Sequence, residues 1–297
     1  MKIFDCFMFF DEELLLDLRL NILNKYVDKF IITEATYMHS GKPKKLNFDI
    51  NKFSKFKDKI IYNVIDKQPP NIISINEKDS KEIRGKKLIN NSNRREHYQR
   101  ELALQSLGAA ELNDIILIND VDEIPNLKNI NFEKIGRKLI IFKQKMFCYK
   151  FNLLYEGICW HGSRACRKKD FISPQWLRDV KHKKYPLWRL DTIFSKTKYS
   201  NIIYVEDGGW HFTNVKTPED IQKKYSNFLH HQDFEYSGLK FEDVKRIVKD
   251  KKILYDYTAD QRDFKWKASK SLKKVSLSSM PEYITDNYKK YINWLEN

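Results

Sequence analysis

The chain has few cysteines and no long apolar run, and each of these features excludes a class of protein. Its four cysteines in 297 residues fit neither a disulfide framework nor a Cys-x-x-Cys zinc site, so we expect reduced thiols. No window approaches the roughly 18 consecutive apolar residues of a membrane-spanning helix, and charges stand too early at the N-terminus for a signal-peptide core. We therefore expect a soluble, cytoplasmic protein with at most peripheral contact with a membrane.

Glycine-rich phosphate-binding loops are also absent. The sequence has no Gly-x-x-x-x-Gly-Lys-Ser/Thr motif, and no Gly-x-Gly-x-x-Gly motif follows its first predicted strand. This excludes P-loop enzymes and ordinary dinucleotide-binding domains. The first strand ends instead in Phe9-Phe10-Asp11-Glu12, where a sugar nucleotidyltransferase would need a Gly-rich, basic loop to hold a triphosphate.

The charge balance, by contrast, is strongly basic. Lys and Arg number 55 against 40 Asp and Glu, and the resulting charge of +15 is spread along the chain. Such a field indicates an anionic partner, which could be nucleic acid, a nucleotide donor, or a phosphorylated glycan or lipid surface. A lysine- and asparagine-rich composition inherited from an A·T-rich genome explains the same charge as a solvated surface, so both explanations stay open.

The apolar patterning predicts an α/β protein. Strands are expected at 2–9, 29–34, 59–65 and 114–120, a helix from the N-cap Asp11 through Ile22, and a second helix from Asn93, with Glu96 as capping partner, to Gly108. Residues 67–92 lack periodicity and are expected to form a surface loop. This order is typical of a parallel sheet with helices on its faces, and such sheets bind ligands beyond the carboxyl ends of their strands.

The pattern changes after residue 125. Strand-like runs are expected at 138–151, 152–160 and 201–205. A helix should start at Thr217-Pro218, with Thr as N-cap and Pro at the first helical position. The remainder, 218–297, is expected to be mainly helical.

Asp120-Val121-Asp122 is the most informative stretch of the chain. If the backbone stays extended through Val121, both aspartates project to one side of the strand. Like charges this close raise a pKa or recruit a cation, and no Lys or Arg lies between Asp114 and Asn126 to supply one. All-oxygen ligation suits Mg²⁺ or Mn²⁺, which leave open positions for phosphate oxygens. The motif therefore predicts a diphosphate clamp, with a solvated acidic turn as the alternative.

Several blocks of sequence resemble a known family when they are taken in order. These are Phe7 to Leu14 with Leu18-Arg19-Leu20; Val27 to Ala35 continuing to His39-Ser40-Gly41-Lys42-Pro43; Arg95-Glu96 with Gln99-Arg100; Asp120 to Pro125; Gly209-Trp210-His211-Phe212; and Lys224, Phe228 and His230. Together they look like glycosyltransferase family 17, the family of the bisecting β-1,4-N-acetylglucosaminyltransferase of N-glycans. The resemblance spans about residues 3 to 235.

The resemblance implies a GT-A type fold, which is a Rossmann-like, mostly parallel sheet flanked by helices. It divides the chain into a nucleotide-sugar-binding half (1–125), an acceptor and catalytic half of the same domain (126–215) with mixed β structure, and a C-terminal helical segment (216–297). It further implies a UDP-N-acetylglucosamine donor, Mn²⁺ or Mg²⁺, inversion to a β-linkage such as β-1,4, and a glycan, glycolipid or glycoprotein acceptor. The sequence shows no anchor or stem like those of the animal relatives, so we expect a bacterial- or viral-type enzyme with another acceptor.

The predicted metal site consists of three residues. Asp122 is expected to bind the ion directly, as UDP leaves on it. Asp120 is expected to bind it through water, or to hold the ribose and sugar hydroxyls of the donor. His211 is the expected third contact, since Gly208-Gly209 permits close backbone approach; a core histidine beside Trp210 is the alternative.

Other donor-binding residues are predicted near the same sheet edge. Glu34 is expected to bind uridine or ribose, or else to cap the next turn. His39 and Lys42 lie in a Gly-containing loop and could contact donor phosphate or acceptor. Arg95 and Arg100 could reach the diphosphate, order the acidic motif, or form a surface salt bridge.

The catalytic base is expected on an acidic residue downstream of the metal motif. Asp207, within Glu206-Asp207, is the predicted base that deprotonates the acceptor hydroxyl, followed by Asp191 and Glu156. An aromatic and basic region could form an acceptor platform, although ordinary packing explains each member equally well. Its members are Trp160, His161, Arg164, Trp176, Arg178, Trp188 and Arg189.

A nucleic-acid-binding protein or metal-dependent nuclease is the rival class, suggested by the basic charge and the interleaved aromatics. We regard nucleic acid as the less favoured partner, since a two-metal nuclease should cluster further acidic or histidine ligands near Asp120. A non-catalytic, lectin-like relative is a third class, but it would tolerate loss of Asp122 or His211, and both are present.

Overall fold

The computed structural model describes residues 1–136, 139–186, 188–226, 231–259, 264–266, 268 and 270–296. The strands are β1 Ile3–Met8, β2 Lys29–Ala35, β3 Ile60–Ile65, β4 Ile115–Asp120, β5 Glu123–Pro125, β6 Leu139–Phe142, β7 Gln144–Cys148, β8 Leu153–Trp160, β9 Arg164–Arg167, β10 Ile202–Val205, β11 Gly209–Thr213 and β12 Lys273–Lys274. The α-helices are α1 Glu13–Leu23, α2 Lys81–Glu101, α3 Pro174–Asp179, α4 Asp191–Phe194, α5 Pro218–Tyr225, α6 His231–Ser237, α7 Phe241–Lys249, α8 Glu282–Asp286 and α9 Tyr288–Tyr291. Short 3-10 helices span Ile50–Lys59, Leu102–Leu107, Lys168–Asp170, Leu277–Ser279 and Ile292–Trp294.

The larger sheet confirms the predicted α/β class. Its order is β10-β6-β9-β4-β1-β2-β3, and β9 is antiparallel to both of its neighbours while the other pairs are parallel. The central strands β1, β2 and β4 are buried along nearly their whole length, as expected of strands covered on both faces. Their carboxyl ends meet at one edge, where Met8 lies opposite Asp120.

A second sheet begins where the first one ends. Its order is β12-β8-β7-β11-β5, and β5 pairs antiparallel with β11 so that Glu123 lies opposite His211. Because β4 ends at Asp120 and β5 starts at Glu123, the chain crosses between the two sheets within the acidic motif. Strands β6, β9 and β10 complete the first sheet, so the predicted division at residue 125 does not separate the two sheets.

Helix α2 starts earlier than expected. It runs from Lys81, and the side chain of Ser80 accepts a hydrogen bond from the Ile83 amide at its N-terminus. The predicted loop is therefore confirmed over 67–80 and wrong over 81–92, and the predicted helix start at Asn93 was wrong. The buried residues of α2 are polar, namely Asn91, Ser92, Arg95, Gln99 and Arg100, so apolar periodicity could not reveal this helix.

Two other predicted helix starts had different outcomes. The Thr217 cap of α5 is confirmed, with its Oγ1 accepting from the Asp220 amide at 3.2 Å. Asp11 does not cap α1, which starts at Glu13, and its carboxylate instead forms an ion pair with Lys216. The prediction of a mainly helical C-terminal segment was too broad, because the described part of 250–281 contains β12 and no α-helix. Within the described residues, no helix combines the length and the apolar character that crossing a membrane requires.

Candidate active site

A cavity of about 400 Å³ opens at the carboxyl edge of β1, β2 and β4. Parallel sheets bind their ligands at this edge, because the loops that follow the strands leave a crevice there. The lining combines apolar and aromatic side chains with carboxylates and lysines. It comprises Met8, Phe9, Phe10, Glu12, Tyr37, Met38, His39, Lys44, Glu96, Gln99, Asp120, Val121, Asp122, Trp160, Arg178 and Lys224.

Asp120 lies in the cavity wall between two arginines. Its Oδ1 is 3.2 Å from Arg100 Nη2, and its Oδ2 is 2.8 Å from Arg178 Nη2. Burial alone would raise the pKa of this carboxyl, but the two guanidinium groups hold it well below its usual range. The cations that the sequence lacks around the motif are thus supplied by α2 and α3, and Asp120 stays ionised without a metal.

Glu123 shares the Arg178 guanidinium with Asp120. Its fully buried carboxylate accepts from Arg178 Nη1 at 2.7 Å, from the Asp120 amide at 2.9 Å and from Trp160 Nε1 at 2.7 Å. Gly162 permits this arrangement, since a Cβ there would lie 2.3 Å from the carboxylate. Arg178 lines the cavity and is the ion-pair partner of two carboxylates, and its predicted contact with acceptor stays a prediction.

Arg19 supports the same turn from below and is completely buried. Its guanidinium forms two hydrogen bonds with Asp5, which is equally buried, and donates to the Glu123 carbonyl at 2.6 Å and the Asp120 carbonyl at 3.3 Å. Five donors in a planar fork allow one side chain to tie β1 to both ends of the acidic motif. The position of an arginine between Leu18 and Leu20, on the apolar side of a helix, was the sequence signal for this role.

Asp122 faces a different set of partners. Its Oδ2 lies 3.6 Å from His211 Nε2 and 3.9 Å from Lys224 Nζ, and its carbonyl accepts from the Phe212 amide at 2.9 Å. Burial would raise its pKa, but His211 and Lys224 keep it below the usual range. Both aspartates line the cavity, as the alternation predicted, while the Val121 side chain is 5 % exposed.

His211 stands behind Asp122 and does not line the cavity. Its ring stacks on Trp160 with centroids 4.6 Å apart, and its buried Nδ1 has no hydrogen-bond partner within the described part of the chain. Gly209 brings the strand this close to β5, since a Cβ there would lie 2.2 Å from the Ile124 carbonyl oxygen. The histidine thus contacts the acidic motif through Asp122, while Trp210, proposed as its core neighbour, donates to the Ser279 carbonyl.

The residues present suit a metal that arrives with a diphosphate. Among the described residues, no group of three or more His, Cys, Asp or Glu side chains is arranged to hold an ion on its own. Mg²⁺ and Mn²⁺ commonly bind through one or two carboxylates plus substrate phosphate oxygens, and Asp122 opens onto the cavity in the required way. The nearby orphaned imidazole of His211 fits as a further ligand or as the group that orients Asp122.

Glu34 does not reach the cavity. Its carboxylate is fully buried and accepts from Lys44 Nζ, from the Asn47 amide at 2.7 Å, from the Phe48 amide at 3.1 Å and from the Tyr62 hydroxyl at 2.8 Å. With these partners around both oxygens it holds the loop that follows β2. Its expected contact with uridine or ribose is therefore corrected in favour of the capping alternative.

The loop after β2 contributes its side chains unevenly. His39 lines the cavity near Glu96 and Gln99, and burial lowers its pKa. Lys42 is exposed and does not line the cavity, whereas Lys44 does. Arg95 donates to the His39 carbonyl at 3.1 Å and lies under Gly41, so it fixes the loop rather than facing a donor.

The predicted bases lie outside the cavity. Asp207 is 82 % exposed and lies 3.2 Å from Lys145, and Glu206 forms an exposed pair with Lys143. Asp191 pairs with Arg189 and Lys198 on the surface, and Glu156 with Lys273. The base assignment is corrected accordingly: the carboxylates that line the cavity are Glu12, Glu96, Asp120 and Asp122.

Only part of the predicted acceptor platform reaches the cavity. Trp160 and Arg178 line it, and their contact with acceptor stays a prediction. Trp176 is buried beneath the sheet and donates to the Lys196 carbonyl at 2.7 Å, and Trp188 is 78 % exposed away from the lining. The Phe228 and His230 matches lie outside the described residues, whereas Lys224, the third member of that group, lines the cavity.

A mostly parallel α/β sheet whose carboxyl edge carries an acidic motif, lysines and an aromatic wall defines an α/β protein with a ligand-binding crevice at the edge of its sheet. The model of glycosyltransferase family 17 matches residues 1–296, which is essentially the whole chain. The chain belongs to this family, and the resemblance stated from its sequence blocks is confirmed. No curated protein sequence matches the chain.

Proposed function

We propose that this glycosyltransferase moves N-acetylglucosamine from UDP-N-acetylglucosamine to a glycan hydroxyl, with inversion at the sugar carbon. The observation that carries the proposal is the position of Asp122, which opens onto the cavity between His211 and Lys224 at the carboxyl edge of the sheet. Family membership supports sugar transfer in general, and this geometry supports a diphosphate-bearing donor in particular.

Charge complementarity supports a diphosphate at this end of the cavity. Lys224 and Lys44 both line it, beside carboxylates and apolar side chains, and Lys224 Nζ lies 3.9 Å from Asp122 Oδ2. Phe9, Phe10 and Tyr37 line the same cavity and offer faces on which a base or sugar ring could stack. A UDP-sugar therefore finds cations for its phosphates and aromatic surface for its rings within one cavity.

Mn²⁺ or Mg²⁺ would be held by Asp122, with His211 beside it, and would neutralise the charge that develops on the departing diphosphate. The residues of the chain do the rest. Asp120, fixed by two arginines, keeps a hydrogen-bond acceptor in the wall for donor hydroxyls. Glu123 and Arg19 keep the backbone of the motif in place beneath it.

The base that accepts the proton of the attacking hydroxyl belongs among the cavity carboxylates. Asp120 is paired with two arginines and Asp122 faces the metal position, which leaves Glu12 and Glu96. Glu96 is paired with Arg100 at 2.7 Å, and this cation lowers its pKa against the effect of burial. Glu12 is favoured because its nearest cation, Lys216, is 4.0 Å away.

The test is a panel of UDP-sugars with a mixture of glycan acceptors, with Mn²⁺ or with a chelator. We expect UDP release to be fastest with UDP-N-acetylglucosamine and to fall when the metal is removed. Activity that is unchanged by the chelator would contradict the metal assignment, and preference for another sugar would contradict the donor. Salt-sensitive DNA binding without UDP binding would instead support the nucleic-acid alternative. The match to a glycosyltransferase family argues against that alternative.

A further inference from the structure

The surface segment 181–198 is the most exposed apolar feature of the described chain. Trp188, Leu190 and Phe194 are 78 %, 70 % and 88 % exposed, more than any other large apolar side chain that the structure describes. All three fall within seven consecutive residues. Exposed apolar residues scattered singly need no explanation, but a cluster of the largest ones marks an interaction surface.

This segment is a loop that carries the short helix α4, and it is closed at its base. The Lys181 amide donates to the Thr197 carbonyl at 2.8 Å, and the buried indole of Trp176 donates to the Lys196 carbonyl at 2.7 Å. Ser173 caps helix α3, which precedes the loop. The apolar side chains therefore project from a loop whose two ends are joined to the folded body at α3.

Basic residues surround the apolar tip. Segment 181–198 contains six Lys and Arg and one acidic residue, which gives a net charge of +5. The acidic residue, Asp191, is paired with Arg189 and Lys198, while Lys181, Lys183, Lys184 and Lys196 are exposed. Aromatic and aliphatic side chains flanked by lysines match a membrane surface, where the apolar groups enter the headgroup region and the lysines meet anionic lipids.

We propose that segment 181–198 docks this enzyme on an anionic phospholipid surface. A second copy of the same face would bring +5 against +5, so self-association through it is disfavoured by like charge. A polyanion without an apolar phase would leave Trp188, Leu190 and Phe194 in water. A lipid surface offers negative charge to the lysines and an apolar phase to the apolar side chains. The segment begins three residues after Arg178 of α3, so docking occurs beside a helix that contacts Asp120 in the active site.

The test is co-sedimentation of the full chain with vesicles of phosphatidylcholine alone, or with about 30 % phosphatidylserine. We expect at least about tenfold stronger binding to the anionic vesicles and about a tenfold loss in Leu190→Ser/Phe194→Ser. The matched control, Ile83→Ser/Leu112→Ser, removes two exposed apolar side chains elsewhere and should bind like the unmodified chain. Equal binding of both double variants, or no preference for anionic vesicles, would overturn the proposal.

A second measurement keeps the loop chemically almost intact. Brominated lipids quench the fluorescence of a tryptophan that enters the bilayer, and we expect quenching in the unmodified chain that is lost in Trp188→Phe while vesicle binding persists. Quenching that is equal in both would place another tryptophan at the membrane and contradict the assignment. Because neither measurement uses sugar transfer, failure of docking and failure of the proposed donor chemistry are distinguishable.

Discussion

Arg178 Nη2 lies 2.8 Å from Asp120 Oδ2 and ties helix α3 to the carboxyl end of β4. The same guanidinium holds Glu123 at 2.7 Å, so one side chain fixes both ends of the turn that carries Asp122. Arg178 and Asp120 are 58 positions apart in the chain, and the sequence of the acidic motif does not predict this ion-pair partner. Asp122 is left as the aspartate of the motif that faces His211 and Lys224.

Removing Arg178 should destabilise the protein and abolish activity. Arg178→Ala leaves Glu123 buried with one charged partner fewer, and breaking a buried pair of this kind costs about 3–5 kcal/mol. Arg178→Lys keeps the charge but loses the planar fork, so we expect partial rescue of stability and little rescue of activity. Urea unfolding and UDP release measure the two effects separately.

Arg189→Ala is the matched control for that experiment. Arg189 also pairs with an aspartate, Asp191, at 2.7 Å, but both side chains are about 40 % exposed. Exposed pairs of this kind contribute about 0–1 kcal/mol, so the variant should unfold close to the unmodified protein. An equal loss of stability in both variants would contradict the importance given to the buried network.

The free energy of unfolding should fall as the pH drops from about 6.5 to about 4. Burial, the stacked His182 ring and Lys143 lower the pKa of His161 to about 4. Between these two pH values His161 is protonated in the unfolded chain and neutral in the folded chain, so each drop in pH favours the unfolded state. His161→Phe keeps the stacked ring and cannot titrate, so its urea-unfolding free energy should depend less steeply on pH.

His97→Gln serves as the control for loss of an imidazole, because His97 is exposed on α2. We expect it to keep the pH slope that His161→Phe loses. The His182 pKa is also lowered, by burial and then by Arg164, Lys181 and Lys183, so part of the slope should persist in His161→Phe. A slope that is identical in all three proteins would show that the stacked pair does not set it.

Gly209→Ala should disrupt the junction of the two sheets. Gly209 has φ of +125°, and a Cβ there would lie 2.2 Å from the Ile124 carbonyl oxygen and 2.7 Å from the Asn126 amide nitrogen. We expect a loss of more than about 2 kcal/mol in the free energy of unfolding, since both backbone strain and steric overlap oppose the side chain. Activity should fall with it, because His211 follows two residues later.

Gly108→Ala tests the same substitution in open space. A Cβ at Gly108 meets no atom within 4 Å, and φ there is −63°. We expect the change in stability to stay within about 1 kcal/mol, with a small gain from the reduced freedom of the unfolded chain. A large loss at Gly108 and none at Gly209 would contradict the packing described for the two sheets.

The sequence predicted best where apolar periodicity and chain order decide the structure. Strands β1, β2, β3 and β4, and the place of the acidic motif at their carboxyl edge, followed from that pattern. Helix α2 was predicted too short because its buried residues, among them Arg95 and Gln99, bind other polar groups rather than apolar core. Hydrophobic patterning cannot detect a helix of this kind.

The candidate site was predicted in its centre and not in its surroundings. Asp120, Asp122 and Trp160 reach the cavity as expected, because alternation and position at a strand end are local properties. The roles of Arg178 and Glu34 depend on partners many residues away, which a single sequence does not reveal. Asp207 was chosen from its place along the chain, whereas the fold turns its side chain to solvent.

The central claim is that Asp122 holds the metal and diphosphate of a UDP-sugar, and one comparison tests it most directly. UDP release from UDP-N-acetylglucosamine should be measured with Mn²⁺ for Asp122→Asn and Asp207→Asn. We predict that Asp122→Asn lowers the rate of UDP release more than about 100-fold, and that it no longer binds Mn²⁺ with UDP in calorimetry. A residue that only orients a metal ligand would cost about 10- to 100-fold when changed. Asp207→Asn, altered at an exposed turn, should retain the rate of the unmodified enzyme. An active Asp122→Asn with an inactive Asp207→Asn would contradict the account.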